Sequence, residues 1–345
     1  MNKALIKEKA LEITKAIAFI LVFILLIEFS SVKIFTEEAA TKYNNGKKDA
    51  YSFINEEQKS IQIVGVGNSD LYAGFSPLEL WKNYRITSVV SASARQTLQE
   101  SYNMLEMIFE NQKPELVIIE TDMFYDHNPE EDNVVESNNT SMEFFDKMHP
   151  DYFTREVENT FSVFKFHNYW KGGQSSKKNV PYNTHGYRYN NKVYKIKKTE
   201  YMIKTSKMEK LSAFNKDQMD MLLDLCKSKN AKVLLLEMPS ISSWNYERHN
   251  AVDDYAKSRN VPFLDLNLLY DDIGLDMRNC FRDKGNHINH NGALAVTNYL
   301  GRYFMKQYKL IPQTKESIIK SWNKSLEKFE KYIEWTKKNE KQAKS

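Results

Sequence analysis

The longest apolar run in the chain lies near its start, where Ala16 to Ile27 reads AIAFILVFILLI before Glu28 and Lys33 interrupt it. A membrane-crossing helix needs about 20 mostly apolar residues, and the stretch 16–35 reaches that length with Glu28 near the far interface. A soluble-domain helix shows one apolar stripe, whereas this run is apolar on every side and leads the chain, which predicts an anchor. Lys3, Lys7, Lys9 and Lys15 precede it against two glutamates. Cationic flanks stay cytoplasmic, so the N-terminus is expected inside and the bulk outside. A cleaved signal peptide is the alternative. No clear small-x-small site follows the run, Phe29-Ser30-Ser31 being the nearest.

After a polar stalk at 36–58, the pattern changes to short buried strands and amphipathic helices. Ile61 to Val66 (IQIVGV) is a strand running into a tight loop at Gly67-Asn68. Ser76 and Pro77 read as cap and first residue of a helix. Thr87 to Val90 is a short strand, Thr97 to Phe109 a helix, and Glu115 to Glu120 (ELVIIE) another strand. From about 125 to 200 the chain is polar and aromatic with no clean period, as in an insertion over the sheet. Regular order resumes with a helix at Asn215–Lys229, a strand at Ala231–Glu237, a helix at Tyr246–Arg259, a strand at Val261–Leu266 and a helix at Gly292–Tyr308. This β-α-β order predicts an α/β fold, a parallel sheet with helices on both faces in three α/β/α layers. The expected organisation is anchor 1–35, stalk 36–58, α/β domain 59–312 and a charged amphipathic helix 313–345. That helix could dock on the domain, on a partner helix or on an anionic membrane surface.

Composition narrows the chemistry. A net charge of +4, dispersed along 345 residues, does not argue for nucleic acid. Cys226 and Cys280 stand apart from any CxxC or Cys/His spacing, so neither a zinc site nor a disulfide framework is indicated. A glycosyltransferase-like domain would want a DxD-type metal site at a strand end, and none is present.

Two segments carry candidate chemistry. In Gly67-Asn68-Ser69-Asp70, a serine follows the first strand at the sheet end where open α/β folds bind ligands. In Asp283-Lys284-Gly285-Asn286-His287, a polar loop opens the last helix of the domain. A serine hydroxyl needs a base to take its proton, and the base needs an acid to fix its tautomer. The plain alternatives are that Ser69 is a turn residue or cap, and that Asn289 or Asn291 caps the helix beside solvated histidines. Trp244, Tyr246 and His249 line either a sugar cleft or the core, and Tyr182, His185, Tyr187 and Tyr189 either stack on sugars or cover the sheet.

Taken together, GNSDLYAGFSPLELW, VVSASARQTLQESYNMLEMIFENQKPELVIIETDMFY and DKGNHINHNGALAVTNYLGRYF resemble the sequence blocks of SGNH (GDSL-like) serine esterases and acyltransferases, over residues 61–122 and 231–308. The membrane-anchored envelope branch is the nearest in plan: DltD-like D-alanyl transfer proteins of teichoic acid, and SGNH partners of polysaccharide O-acetylation. The resemblance implies a flavodoxin-like sheet and an esterase or acyltransferase acting on acyl esters of an envelope polymer. It implies no cofactor and no metal, and it implies a membrane-embedded acyltransferase of the MBOAT type as partner. By position, Ser69 becomes nucleophile, His287 base and Asp283 acid. The family's acid usually stands three residues before the histidine, where this chain has Lys284; Asp272 and Asp276 are the substitutes for Asp283. For the oxyanion hole the family uses a glycine N–H in block two and an asparagine in block three. Here block two reads Ser91-Ala92-Ser93-Ala94-Arg95-Gln96 and block three Glu120-Thr121-Asp122. The donors available by position are the backbone of Ser69, Ala92 and Ser93 and the side chain of Gln96. Asn68, Trp244 and His249 are the candidates for substrate binding. Loss of the family's donors makes a non-catalytic binding or assembly protein the alternative reading.

Overall fold

The computed structural model describes residues 3–34, 48–125, 161, 163, 183–197 and 200–342. The chain divides into two compact units, residues 1–48 with 129–177 and residues 49–128 with 178–345. In the first, α1 (Lys3–Lys33) is continuous. Its portion Lys9–Lys33 is long and apolar enough to cross a membrane, and none of its apolar window is buried against the protein.

The second unit is an α/β fold built on one parallel sheet of five strands: β1 (Ile63–Gly67), β2 (Ser88–Ala92), β3 (Leu116–Glu120), β4 (Lys232–Glu237) and β5 (Phe263–Asp265). Their order is β2-β1-β3-β4-β5, the flavodoxin-like order, which puts the chain reversal between β1 and β3. Every residue of β1, β2 and β3 is buried, as a sheet covered on both faces requires.

Alternation along the strands sorts side chains to two faces. Val64, Val66, Val89, Val117, Ile119 and Leu235 pack with α4 (Leu98–Asn111), α5 (Ala213–Ser228) and α6 (Tyr246–Arg259). Ile63, Val90, Leu116, Ile118, Leu234 and Leu236 pack with α2 (Ser69–Gly74) and α8 (His290–Gln307). Helix α4 starts at a full capping box between Thr97 and Glu100. Between these elements lie α3 (Pro77–Tyr84), with Pro77 in its first turn, and the short α7 (Tyr270–Ile273).

Several expectations are revised by packing. The stalk's described part, from residue 48, is not extended: Ala50, Tyr51 and Phe53 are buried in the α4/α5 core. Residues 36–47 and most of the insertion, Tyr182 included, lie outside the described residues. The insertion's last part closes back on the sheet edge: Val90 N–H donates to His185 O at 2.8 Å and Arg188 N–H to Tyr72 O at 2.9 Å. The C-terminal helix α9 (Glu316–Gln342) docks on the domain. Its Ile318, Trp322 and Phe329 form a third core with Leu78, Trp81, Tyr187 and Ala293. His185 stacks on Trp322 with centroids 3.8 Å apart, and Tyr189 packs edge-on against Phe329. His185, Tyr187 and Tyr189 therefore cover the sheet and seat α9 and offer no sugar platform.

Candidate active site

Strand β1 ends at Gly67, where a Cβ would lie 2.6 Å from Glu120 Cβ on β3. A side chain there would push the two strand ends apart, so glycine is required. Asn68 then caps α2, its side chain accepting from Asp70 N–H at 3.0 Å. Ser69 is the first residue of this six-residue helix and not its cap. The sequence has no period here, and the helix is nucleated by the Asn68 cap.

The histidine loop is pinned from three sides. Phe281 and Ile288 form an antiparallel bridge across its base. Asn289 caps α8 through Asn291 and Gly292 N–H, while its Nδ2 donates to Asn279 O and Phe281 O. From the segment after β4, Ile241 N–H donates to Gly285 O at 2.7 Å and Ser240 Oγ to Asn286 O at 2.9 Å. Gly285 has φ +102, and a Cβ on it would meet Ile241 Cβ at 2.9 Å, so both conformation and space demand glycine.

These two loops bring distant side chains into one line. His287 Nε2 lies 2.8 Å from Ser69 Oγ although 218 positions separate them. His287 Nδ1 lies 2.7 Å from Asp283 Oδ2. Asp283 Oδ1 accepts from His287 N–H at 2.7 Å. The carboxylate thus closes the loop on itself, which is how a spacing of four replaces three. With Nδ1 donating to Asp283, Nε2 carries the lone pair that accepts the serine proton. Burial pushes the His287 pKa below its ordinary 6.5, and the hydrogen bond to Asp283 opposes this. The lowering favours the neutral imidazole, whose Nε2 lone pair is free to accept a proton. Asp272 sits on the exposed side of α7, and Asp276 is spent on Arg278 N–H and Asn279 Nδ2.

Around the serine the charge is acidic. Glu120 accepts from Asn68 N–H at 3.2 Å and from Asp122 N–H at 3.1 Å. Asn68 Nδ2 donates to Asp122 Oδ2 at 2.9 Å, and Arg248 Nη1 lies 3.6 Å from Asp122 Oδ1. Asp70 Oδ1 is 3.8 Å from His287 Nε2. Burial, then the charges of Asp122 and Asp70, hold Glu120 well above the usual carboxylate range. Burial raises Asp122 too, against the pull of Asn68 and Arg248. On β4, Glu237 is raised by burial and by Glu120, and its one described partner is Thr121 Oγ1 at 2.6 Å. Oxygens of Asp70, Glu120 and Asp122 lie within 4.8 Å of one another, a donor set of the kind hard cations take.

Of the oxyanion candidates, Ser69 and Ala92 stand at the carboxyl ends of β1 and β2, and Ser93 follows them, buried. Gln96 is corrected: its Nε2 donates to Ser91 O at 2.9 Å and to Ser101 Oγ at 3.0 Å, so both amide hydrogens are used inside the core. Trp244 and His249 are corrected as well. Trp244 is 3% exposed, packs edge-on against Tyr125, and donates from Nε1 to Asp265 Oδ2 at 2.9 Å. His249 Nδ1 lies 2.8 Å from the same oxygen. Both belong to a polar knot at the end of β5 and are not free to line a cleft. Asn68, by contrast, is at the site.

Sequence reasoning met Glu120 and Asp122 only as the third block, without the buried acidic cluster they form with Asp70, and missed Arg248 and Ser240 as neighbours of the site. A signal existed for Glu120: two strands buried on both faces, ELVIIE and AKVLLLE, each end in glutamate, and a carboxylate there is rarely fully buried without a reason.

No family model matches the chain, and no curated protein matches it. Solved structures similar to it include a GDSL-like lipase from Bacteroides thetaiotaomicron, at 13% identity over 77% of this chain and 98% of that one, TM-score 0.37. A lipase/acylhydrolase from Enterococcus faecalis is similar at 12% identity over 74% of this chain and 100% of that one, TM-score 0.35. A family 3 carbohydrate esterase from Clostridium thermocellum is similar at 10% identity over 72% and 97%, TM-score 0.37. Likeness of that degree bears on neither activity nor substrate.

Proposed function

We propose that the chain is a membrane-anchored serine esterase or acyltransferase of the SGNH type, working outside the cell on acyl esters of an envelope polymer such as teichoic acid or an exopolysaccharide. The observation that supports it is the line Ser69–His287–Asp283, with links of 2.8 and 2.7 Å. His287 Nε2 takes the proton as Ser69 Oγ attacks the ester carbonyl, and Asp283 stabilises the imidazolium that forms. Collapse of the tetrahedral intermediate expels the alcohol, which takes the proton back from His287 and leaves an acyl-serine. Water or a polymer hydroxyl, deprotonated by the same histidine, then releases the acyl group. The lysine-flanked apolar helix supports the outside location, and a membrane-embedded MBOAT-type acyltransferase is the partner suggested by the sequence resemblance alone.

One observation favours a second reading. Gln96 is committed to the core and Asp122 is a carboxylate, so neither of these two side chains offers an oxyanion a donor, as in a binding or assembly protein that keeps the fold without the reaction. A fluorophosphonate probe separates the two. The enzyme labels at Ser69, and Ser69→Ala and His287→Ala lose the label. A folded protein that never labels, with Ser69→Ala cells keeping normal polymer acylation, sinks the catalytic reading.

A further inference from the structure

Beside the site runs a segment that the proposed chemistry does not use. Described residues from Lys192 onward are tied to the histidine loop, to the end of β5 and to α6. Asn289 Nδ2 donates to Lys192 O at 3.0 Å and Tyr194 N–H to Phe281 O at 2.8 Å. Tyr201 OH then donates to Asn267, just past β5, at 2.7 Å, and Asn250 Nδ2 in α6 donates to Thr205 O at 2.8 Å. Every one of these supports is at the end of the sheet that carries Ser69 and His287.

Ile196, Tyr201 and Met202 of the segment turn inward, the first and last against the core and Tyr201 onto Asn267, while other large side chains are left out. Val193, Tyr194, Ile203 and Met208 are 45–68% exposed. Between them Lys192, Lys195, Lys197, Lys204 and Lys207 are exposed, and none is ion-paired with a described residue. Of the two acidic residues in the stretch, Glu200 is exposed and Glu209 is taken by Arg248 at 3.0 Å. Soluble surfaces scatter single apolar residues. Lysines interleaved with large apolar side chains are instead the composition of a surface that enters the headgroup region of an anionic bilayer.

We infer that the exposed side chains of 192–197 and 200–208 seat the catalytic face on an anionic phospholipid surface, that of the membrane crossed by α1. An anionic polymer would account for the lysines and leaves Val193, Ile203 and Met208 unexplained. Chain length permits the contact: from Lys33 to Asp49 the backbone spans at most about 55 Å. Because this segment is bonded to the loop holding Asp283 and His287, its docking brings the reacting serine to the interface. The substrate it meets there is lipid-linked or membrane-delivered. The contact itself rests on α1 crossing the bilayer; the reacting serine and the substrate it meets rest on the function proposed above.

The test uses the full chain. Ser206→Cys, on this segment, is labelled with an environment-sensitive fluorophore, the native Cys226 and Cys280 being buried. The protein is reconstituted through its own anchor into vesicles of phosphatidylcholine, with or without phosphatidylglycerol. In anionic vesicles the probe should shift to the blue and be shielded from aqueous iodide. Each lysine near an anionic surface shifts the contact equilibrium about fivefold. Reversing Lys192, Lys195, Lys204 and Lys207 to Glu should therefore abolish the shielding while the melting temperature is unchanged. Equal quenching in both vesicles, with the protein co-floating, overturns the inference. Shielding by a soluble polyol-phosphate polymer, and not by phosphatidylglycerol, also overturns it and gives the surface to the polymer. A chain that co-floats with neither vesicle overturns the anchor and this inference together.

Discussion

Asp283 holds His287 twice, one carboxylate oxygen on the backbone N–H and the other on ring Nδ1, each at 2.7 Å. The same side chain therefore shapes the loop and sets the tautomer. Asp283→Asn keeps most of the shape and disturbs the tautomer, since the amide nitrogen cannot accept from Nδ1–H. Esterase turnover should fall by roughly 100- to 10000-fold, with Ser69→Ala and His287→Ala at or below that level and no further loss in the double variants. The acid limb of kcat/KM should have its midpoint below 6.5, because burial lowers His287. The Asp283 hydrogen bond raises that pKa, so Asp283→Asn should move the residual limb to lower pH. A limb that stays in place would show that another acid serves His287.

Glu237 offers a stability test with a definite sign. Its carboxyl is fully buried, its pKa raised by burial and by Glu120, and its Oε1 has no partner among the described residues. A raised folded-state pKa means the native protein binds the proton more tightly than the unfolded chain. That contribution is complete below the unfolded value of about 4.3 and is lost as pH climbs through the folded one. Glu237→Gln keeps an acceptor for Thr121 Oγ1 and removes the titration. It should match the parent near pH 4 and exceed it at pH 8 by about 1–2 kcal/mol, roughly 2–8 °C in melting temperature. An advantage confined to acid pH would reverse the assignment.

The strands were legible because β1, β3 and β4 are buried on both faces, and short apolar runs ending in Gly or Glu have few other readings. Tyr246–Arg259 is a helix within the bounds expected, and β2 and β5 differ by one or two residues at each end. Ser69, Asp283 and His287 were legible as residue types in order, and only the fold could supply the 2.8 Å across 218 positions. What the sequence concealed was decided by tertiary partners. Gln96 looked like a free amide until Ser101 and Ser91 O took both its hydrogens. For Trp244 and His249 the sequence left cleft lining and core packing both open, and Asp265, claiming both rings, decides for the core. Helix α2 was too short to show a period.

The docking of α9 makes a packing prediction. Trp322 is 1% exposed, lies between His185 and Trp81, and donates from Nε1 to Glu56 at 3.2 Å. Trp322→Ala removes a large buried side chain from the third core and should destabilise the domain by about 3–5 kcal/mol in chemical denaturation. Trp335 near the end of the same helix is 54% exposed, and Trp335→Ala should stay within about 0.5 kcal/mol of the parent. Equal effects at the two positions would mean that α9 is held by something other than this core.

In the catalytic reading, Asp122 is the charge an oxyanion would meet. Its carboxylate stands one hydrogen bond from Asn68, the residue before the nucleophile, at 2.9 Å. Negative charge at that place opposes the charge that develops on the ester oxygen, and Asp122→Asn removes the charge while adding an N–H donor. The substitution keeps an oxygen for Asn68 Nδ2 and gives up the ion pair with Arg248, which Glu209 still holds. A well-aimed donor is worth about 100–1000-fold in kcat. The new amide is not fully aimed, so the expected gain on a neutral ester is on the order of tenfold, with KM little changed and the Ser69 fluorophosphonate rate rising in parallel. A fall in both rates would assign Asp122 a useful charge, through the imidazolium of His287 or a cationic group on the substrate. In the non-catalytic reading no rate exists to change, and Asp122→Asn leaves an unlabelled protein unlabelled.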